Sequence, residues 1–169
     1  MRPISATITI DAPREQVFDL LCDLSRRPAF TDHFQAEYRL ERLDPVGVGA
    51  SARYRLADSG AWLDTAIVEA ERPHLIRERG SGGRSNRIPV FCAWELAEGP
   101  SPTVAEVTVT FWTEPVTLVD KLHEPFGRVG RLRRGWSRAL RRLRDLVESG
   151  APVEPVGVAG GDRIPGVAA

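Results

Sequence analysis

Several features that carry chemistry in other proteins are missing from this sequence. Its 169 residues include only two cysteines and three histidines, and neither residue type stands at a spacing typical of a zinc site. GxSxG, Walker A and GxGxxG motifs are absent as well. Hydrolases with a nucleophile elbow, nucleotide-binding proteins and zinc enzymes are therefore not predicted. The expectation is a protein that uses no metal and no other cofactor.

Long apolar runs and an excess of one charge are also lacking. No stretch approaches the roughly 18 apolar residues of a membrane-spanning helix, and the opening residues MRPISATITI lack the apolar core of a signal peptide. The 23 basic residues are balanced by 23 acidic ones, so the whole chain carries no net charge that would attract nucleic acid or an acidic membrane surface. With two cysteines far apart, these features predict a soluble, reduced, cytoplasmic protein.

One segment departs locally from this charge balance. Residues 127–149, GRVGRLRRGWSRALRRLRDLVES, hold eight arginines before the first acidic residue. On a helical wheel the apolar residues gather on one side and the arginines occupy the other, as expected for a helix lying on a sheet with its outer side in water. Binding of a protein or polyanion through this side is the alternative. The arginines considered for it are Arg133, Arg141, Arg142 and Arg144.

Hydrophobic periodicity predicts the order of the elements. Residues 4–10 alternate as in a half-buried strand, and a short helix follows in which Asp11 can cap and Pro13 stands in the first turn. A second short helical piece is expected near Pro28. Strands are then predicted over residues 36–40, 50–56, 62–71, 74–80, 88–96 and 104–112. After Pro115 the period changes to about 3.6, which predicts one long closing helix.

This order predicts an α+β fold: a curved antiparallel sheet of about seven strands wrapped on a long C-terminal helix, with two short helices after the first strand. The domain is predicted to span residues 1–148. Residues 149–169 are rich in proline, glycine and alanine without periodicity, and they are predicted to form a disordered tail.

The sequence resembles the START-like or SRPBCC superfamily, the helix-grip fold, and in particular its polyketide cyclase/dehydrase branch. The resemblance covers residues 4 to about 148. It rests on ITIDAPREQVFDLLCDLSRRPAF, PVGVGASARYRL, VEAERPHLI and the closing amphipathic helix. It implies a cavity between sheet and helix that holds a small apolar ligand. The segment FTDHF, residues 30–34, departs from the family pattern, in which a tryptophan often follows the second short helix.

Two functions from different classes follow. A cavity without a catalytic motif favours a carrier or sensor of a small apolar molecule, polyketide-like or lipid-like. The resemblance also implies a polyketide cyclase or dehydratase that positions its substrate and polarises a carbonyl, with Tyr54 as the catalytic hydroxyl donor. Asp32 and His33, another acid–base candidate, are interpreted as a surface loop because adjacent residues of an extended chain point apart. Whether the chain is an enzyme, and whether it forms a homodimer, stays open.

Alternation along the strands and the helix selects the residues expected to line the cavity, each of which is alternatively plain core packing. They are Tyr54, Trp62, Cys92, Trp94, Leu122, Phe126, Val129, Leu132, Trp136 and Leu140. The same alternation does not decide which charged strand residues face inward, and a buried charge would need a partner or a ligand. The undecided residues are Asp64, Arg77, Glu78 and Glu106.

Overall fold

The computed structural model describes residues 2–83, 86–114 and 129–158. Its strands are β1 (Ile4–Ile10), β2 (Gln35–Leu40), β3 (Ser51–Leu56), β4 (Trp62–Glu71), β5 (Leu75–Gly82), β6 (Ile88–Glu98) and β7 (Ala105–Thr113). Its helices are α1 (Arg14–Cys22), α2 (Pro28–Thr31) and α3 (Val129–Ser149), with a 3-10 turn at Leu24–Arg26. The predicted order of elements is confirmed. The part of the predicted closing helix before Val129 lies outside the described residues.

The seven strands form one antiparallel sheet in the order β1-β7-β6-β5-β4-β3-β2. Burial alternates along the strands, so each strand turns one set of side chains toward the interior and the other toward water. A slip by one residue would exchange the two sets, and the apolar pattern therefore holds the register. The predicted helix-grip architecture is confirmed, with the sheet curled into a half-barrel.

The long helix α3 closes the concave side of the sheet. Its buried residues are Leu132, Gly135, Trp136, Ala139, Leu140, Leu143 and Val147. Gly135 allows the closest approach, because a Cβ atom there would lie 3.1 Å from the ring of Phe34. Glycine weakens a helix interior by about 1 kcal/mol, and here it lets the helix seat against an aromatic ring.

The start of α1 differs from the prediction. Pro13 occupies the N-cap position and no side chain caps the helix. The backbone N–H of Asp11 instead donates to Oε1 of Glu148 at 2.9 Å. Asp11 therefore ties the end of β1 to the end of α3, so the expectation that it caps α1 was wrong.

Residues 151–158 of the predicted tail lie against the domain. The N–H of Val156 donates to the carbonyl of Ser25 at 2.9 Å, and Val158 forms a parallel bridge with Leu40 at the edge of β2. Both valines pack on the core. This part of the tail is therefore placed by backbone hydrogen bonds and apolar contacts that its irregular sequence did not indicate.

Candidate functional site

A buried ion pair lies inside the grip. Arg27, just before α2, places its Nη2 atom 2.8 Å from Oε1 of Glu78 on β5, and both side chains are 3% exposed. The alternation on β5 left the direction of Glu78 open, and the structure turns it inward. Arg27 was missed, because nothing in the run Arg26-Arg27 distinguishes an exposed arginine from a buried one.

Neighbouring groups satisfy most of the polar atoms of the pair. Trp94 donates its Nε1–H to Oε1 of Glu78 at 2.8 Å, and Thr65 donates to Oε2 at 3.0 Å. Arg27 also donates to the carbonyl of Leu21 at 3.1 Å, and its guanidinium lies 5.0 Å from the centre of the Trp94 ring. Burial alone would lower the pKa of Arg27, but the facing carboxylate more than offsets this and raises it. Arg27 therefore keeps its proton, and the side chain of Glu78 is the acidic partner that faces it.

Two buried donors near this pair have no partner among the described residues. Within the described residues, neither Nε of Arg27 nor Nε1 of Trp136 makes a hydrogen bond, although both atoms are buried. Tyr54, a residue only 5% exposed, also has no hydrogen bond from its hydroxyl in that part of the chain, but this hydroxyl is not among the fully buried unpaired atoms. Buried polar groups in proteins are nearly always paired. We therefore expect a hydrogen-bond acceptor from outside the described residues to lie next to these donors.

The tyrosines of this region differ in how their hydroxyls are used. Tyr38 stacks on Tyr54 with ring centres 6.1 Å apart, and its hydroxyl donates to the carbonyl of Leu24 at 3.0 Å. Burial, together with the nearby charge of Glu78, holds the pKa of Tyr54 well above its ordinary value. The Tyr54 phenol therefore keeps its proton and acts as a hydrogen-bond donor.

Several residues predicted for the cavity do face the interior. Trp94 and Trp136 meet edge to face with ring centres 5.6 Å apart, and Leu132 and Leu140 are buried on the same side of α3. Cys92 lies opposite Glu78 in the sheet, and burial raises the pKa of its thiol well above the usual value. The thiol is therefore protonated and is a poor nucleophile.

Other predicted cavity residues lie elsewhere. Trp62 stands on the outer face of the sheet, where the guanidinium groups of Arg53 and Arg39 lie 5.1 and 6.0 Å from its ring centre. The prediction that it lines the interior was wrong, because Tyr54 pairs with Leu63 and not with Trp62. Val129 is 48% exposed at the first residue of α3. Leu122 and Phe126 lie outside the described residues.

The remaining charged candidates point outward. Asp64 pairs with Arg53 at 3.5 Å and Arg77 with Glu69 at 2.6 Å, both on the outer face of the sheet. Glu106 is exposed on β7. Of the four charged residues left undecided by the sequence, only Glu78 faces the interior.

Asp32 and His33 connect α2 to α3 through Arg142. Arg142 forms an ion pair with Asp32 and donates to the Ala29 carbonyl at 3.0 Å, and its Nη1 lies 3.3 Å from Nδ1 of His33. Nε2 of His33 lies 3.1 Å from the carbonyl of Gly135, so His33 carries its proton on Nε2. The two residues therefore hold the helices together. His33 is half-buried, where the sequence predicted a surface loop.

Most of the arginine-rich side of α3 faces water, as predicted for the outer side of a helix that lies on a sheet. Arg131, Arg133, Arg134, Arg138 and Arg141 are exposed. Arg144 pairs with its neighbour Asp145 at 3.5 Å. Arg142 is the exception, since its contacts with α2 remove it from the free surface.

A surface cleft of about 870 Å³ lies between α1 and the end of α3, and its lining includes neither member of the buried pair. Two of its three acidic residues already have partners: Asp19 binds Arg72, and Asp23 accepts hydrogen bonds from Ser25. The described residues hold no cluster of metal-ligating side chains, and no helix among them is long and apolar enough to cross a bilayer. The interior around Arg27, Glu78 and Tyr54 is therefore the candidate site.

Comparison with known proteins agrees with this architecture. The family model for "Polyketide cyclase / dehydrase and lipid transport" matches residues 1–148. No curated protein matches the sequence. Among solved structures, DynU16, from the dynemicin biosynthetic locus, has a TM-score of 0.60 at 21% identity, covering 90% of this chain and 49% of DynU16. KanY has a TM-score of 0.67 at 19% identity, covering 86% of this chain and 97% of KanY. CV1439 from Chromobacterium violaceum has a TM-score of 0.63 at 16% identity, with coverages of 86% and 96%.

The chain spans about half the length of DynU16 and nearly all of the other two proteins. At these identities the solved structures establish a shared fold and nothing about ligands. The family match rests on the sequence itself and covers most of the chain. The fold around the buried pair and the family match together lead to one conclusion: this chain belongs to the polyketide cyclase/dehydrase and lipid transport family of the SRPBCC superfamily.

Proposed function

We propose that the chain binds a small, mainly apolar molecule that carries oxygen atoms, and that it serves as a carrier or sensor of this molecule. The ligand would lie between the inner face of the sheet and α3. The observation that carries the proposal is the pair of buried donors without an acceptor in the described part of the chain, Nε of Arg27 and Nε1 of Trp136. The hydroxyl of the largely buried Tyr54 is a third donor in the same region. Each unpaired donor costs about 1–3 kcal/mol, which a ligand oxygen would recover.

The electrostatics of the site favour a neutral ligand. Glu78 already neutralises Arg27, so the buried pair offers no net positive charge to an anion. A carboxylate placed beside it would be desolvated next to Glu78 without a cation of its own, which is costly. Ketones, phenols and esters are therefore favoured over ionised fatty acids. The family description, which includes polyketide cyclases and lipid transport, is consistent with a ligand of this kind.

The proposal is tested with ligands that share one skeleton and differ in one group. Thermal-shift titrations would compare a polycyclic aromatic hydrocarbon with its ketone, phenol and carboxylate derivatives, and native mass spectrometry of the purified protein would detect a co-purified molecule. We expect the ketone and the phenol to stabilise the protein more than the hydrocarbon and the carboxylate do. Equal stabilisation by all four compounds, or by none, would remove the proposal.

Two tyrosine variants assign the selectivity to the site. Tyr54→Phe removes one free hydroxyl and should weaken binding of the ketone by roughly fivefold to tenfold, the worth of one hydrogen bond, without affecting the hydrocarbon. Tyr38→Phe is the matched control, because its ring stacks on Tyr54 but its hydroxyl already donates to Leu24. A Tyr38→Phe variant that lost ketone selectivity to the same extent would contradict the role given to Tyr54.

Catalysis of a cyclisation or dehydration is the second candidate function, and the state of Tyr54 favours it. A protonated phenol that makes no hydrogen bond within the described residues can polarise a carbonyl of a ketide chain. An enzyme would lose turnover in Tyr54→Phe while keeping most of its substrate affinity, whereas a carrier would lose affinity and show no turnover. Incubation with a poly-β-ketone thioester, followed by mass spectrometry of the products, separates the two functions.

A further inference from the structure

One glutamine is buried inside the domain without a partner for its side chain. Gln35, the first residue of β2, is 2% exposed. Its Oε1 atom is buried and accepts no hydrogen bond within the described residues. The amide nitrogen, which is not among the fully buried unpaired atoms, donates none there either. Because a buried amide oxygen without a donor is rare in folded proteins, Gln35 offers an acceptor that awaits a partner.

Strand pairing places Gln35 on the inner face of the sheet, beside Tyr54. Gln35 lies opposite Leu56 of β3, and directly opposed residues of antiparallel strands share a face. Leu56 and Tyr54 are both buried and stand two residues apart on β3, so they share that face as well. A diagonal pair such as Gln35 and Tyr54 is separated by about 7–8 Å. One small ligand can therefore reach both side chains.

The long helix α3 lies beside this part of β2. Phe34, the residue before Gln35, packs edge to face on Trp136 of α3 with ring centres 5.0 Å apart. Trp136 carries one of the two buried donors that have no acceptor in the described part of the chain. The start of β2 therefore borders the space between sheet and helix in which the proposed ligand lies.

We propose that Gln35 accepts a hydrogen bond from a hydroxyl group of the ligand, so that the ligand is a hydroxyketone and not a simple ketone. This inference rests on the function proposed above and adds a second polar contact to it. The Tyr54 hydroxyl and Nε1 of Trp136 donate to a carbonyl oxygen, whereas Oε1 of Gln35 accepts from an O–H. A hydroxyl both donates and accepts, so it matches the amide whichever way the amide is turned.

The charges of the interior select a hydroxyl over an ammonium group as the donor. Among the described residues the only buried carboxylate is that of Glu78, and it is already paired with Arg27. An ammonium group beside Gln35 would be buried without a counter-ion, which costs far more than the burial of a hydroxyl that is hydrogen-bonded. The donor is therefore neutral.

Three compounds with one skeleton test the proposal: fluorenone, 2-hydroxyfluorenone and 2-methoxyfluorenone. Their dissociation constants are measured by isothermal titration calorimetry. The wild-type protein should bind 2-hydroxyfluorenone roughly tenfold more tightly than fluorenone, the worth of one hydrogen bond to an acceptor that is otherwise unpaired. It should bind 2-methoxyfluorenone no more tightly than fluorenone, because the methoxy group has no proton to donate.

Two glutamine variants assign this preference to Gln35. Gln35→Met keeps the length of the side chain and removes its amide, so it should bind fluorenone as the wild type does and lose the preference for 2-hydroxyfluorenone. Gln16→Met is the matched control, because Gln16 is the only other glutamine of the chain and is exposed on α1. Tyr54→Phe should weaken the binding of both ketones by the same factor and leave their ratio unchanged. Urea unfolding checks that each variant is folded.

The outcomes separate this inference from the function on which it rests. Equal affinity of the wild type for fluorenone and 2-hydroxyfluorenone would overturn the role of Gln35 and leave ketone binding intact. A preference that persists in Gln35→Met, that is lost in Gln16→Met, or that 2-methoxyfluorenone shares would overturn it as well. If none of the three compounds binds, the proposed function fails and this inference fails with it.

Discussion

Replacement of Glu78 by Gln tests how the interior of this protein is held together. The change removes the charge that faces Arg27 but keeps the size of the side chain and an oxygen that can accept from Trp94 or Thr65. Arg27 cannot release its proton, so it would remain as a buried cation without a counter-ion. We expect the free energy of unfolding to fall by about 3–5 kcal/mol, a large share of the roughly 5–15 kcal/mol typical of a domain.

Urea unfolding followed by tryptophan fluorescence measures this loss. Adding Arg27→Met to Glu78→Gln should recover most of the stability, because no buried charge then remains, and a double-mutant cycle gives the coupling. Glu69→Gln is the matched control: Glu69 pairs with Arg77 across the same two strands, but on the outer face with side chains 35% and 54% exposed, and should cost less than about 1 kcal/mol. A loss in Glu78→Gln as small as that in Glu69→Gln would refute the reasoning.

The remaining predictions concern titratable groups. Burial lowers the pKa of His33 from its ordinary 6.5, so as the pH falls the unfolded chain takes up this proton before the folded protein does. The contribution of His33 to the free energy of unfolding should therefore be complete above about pH 6.5 and decrease as the pH falls below that value. His33→Gln should flatten the change in urea midpoint between about pH 7.5 and 5.5, and an unchanged slope would exclude His33 as its source. Burial raises the pKa of Cys22 to about 11 and that of Cys92 well above its ordinary value. Both thiols should resist a thiol reagent in the folded protein and react in urea, and rapid labelling of the folded protein would contradict their burial.

The arrangement of the strands was predictable because most of them carry a clear alternation of apolar and polar residues. The predicted strand 62–71 coincides with β4, and residues 88–96 lie within β6. The inner face of β4 was misassigned because the segment WLDTAIV carries apolar residues on both faces of the strand. Alternation alone could therefore not decide whether Trp62 or Leu63 points to the interior. Only its pairing with β3, which sets Leu63 against Tyr54, placed Trp62 outside.

The candidate site was predictable in part. Trp94, Trp136 and Tyr54 were identified from the faces they share with other apolar residues, and they are buried where expected. Glu78 was recognised as undecided because β5 carries charges at both parities, and Arg27 was not recognised at all. A charged residue shows no periodic signal that would reveal its burial, since burial depends on a partner that the local sequence does not contain.

By itself the sequence determined the order of the elements, the apolar face of each strand, and the closing helix, because periodicity is a property of neighbouring residues. The tertiary structure alone decided which charges are buried and which donors lack acceptors. Arg27 and Glu78 are 51 residues apart in the chain, and they meet only because the fold places the residue before α2 against the inner face of β5. Two charges can leave water together only when the fold brings them to hydrogen-bonding distance, so the polar site of this protein is a product of its tertiary structure.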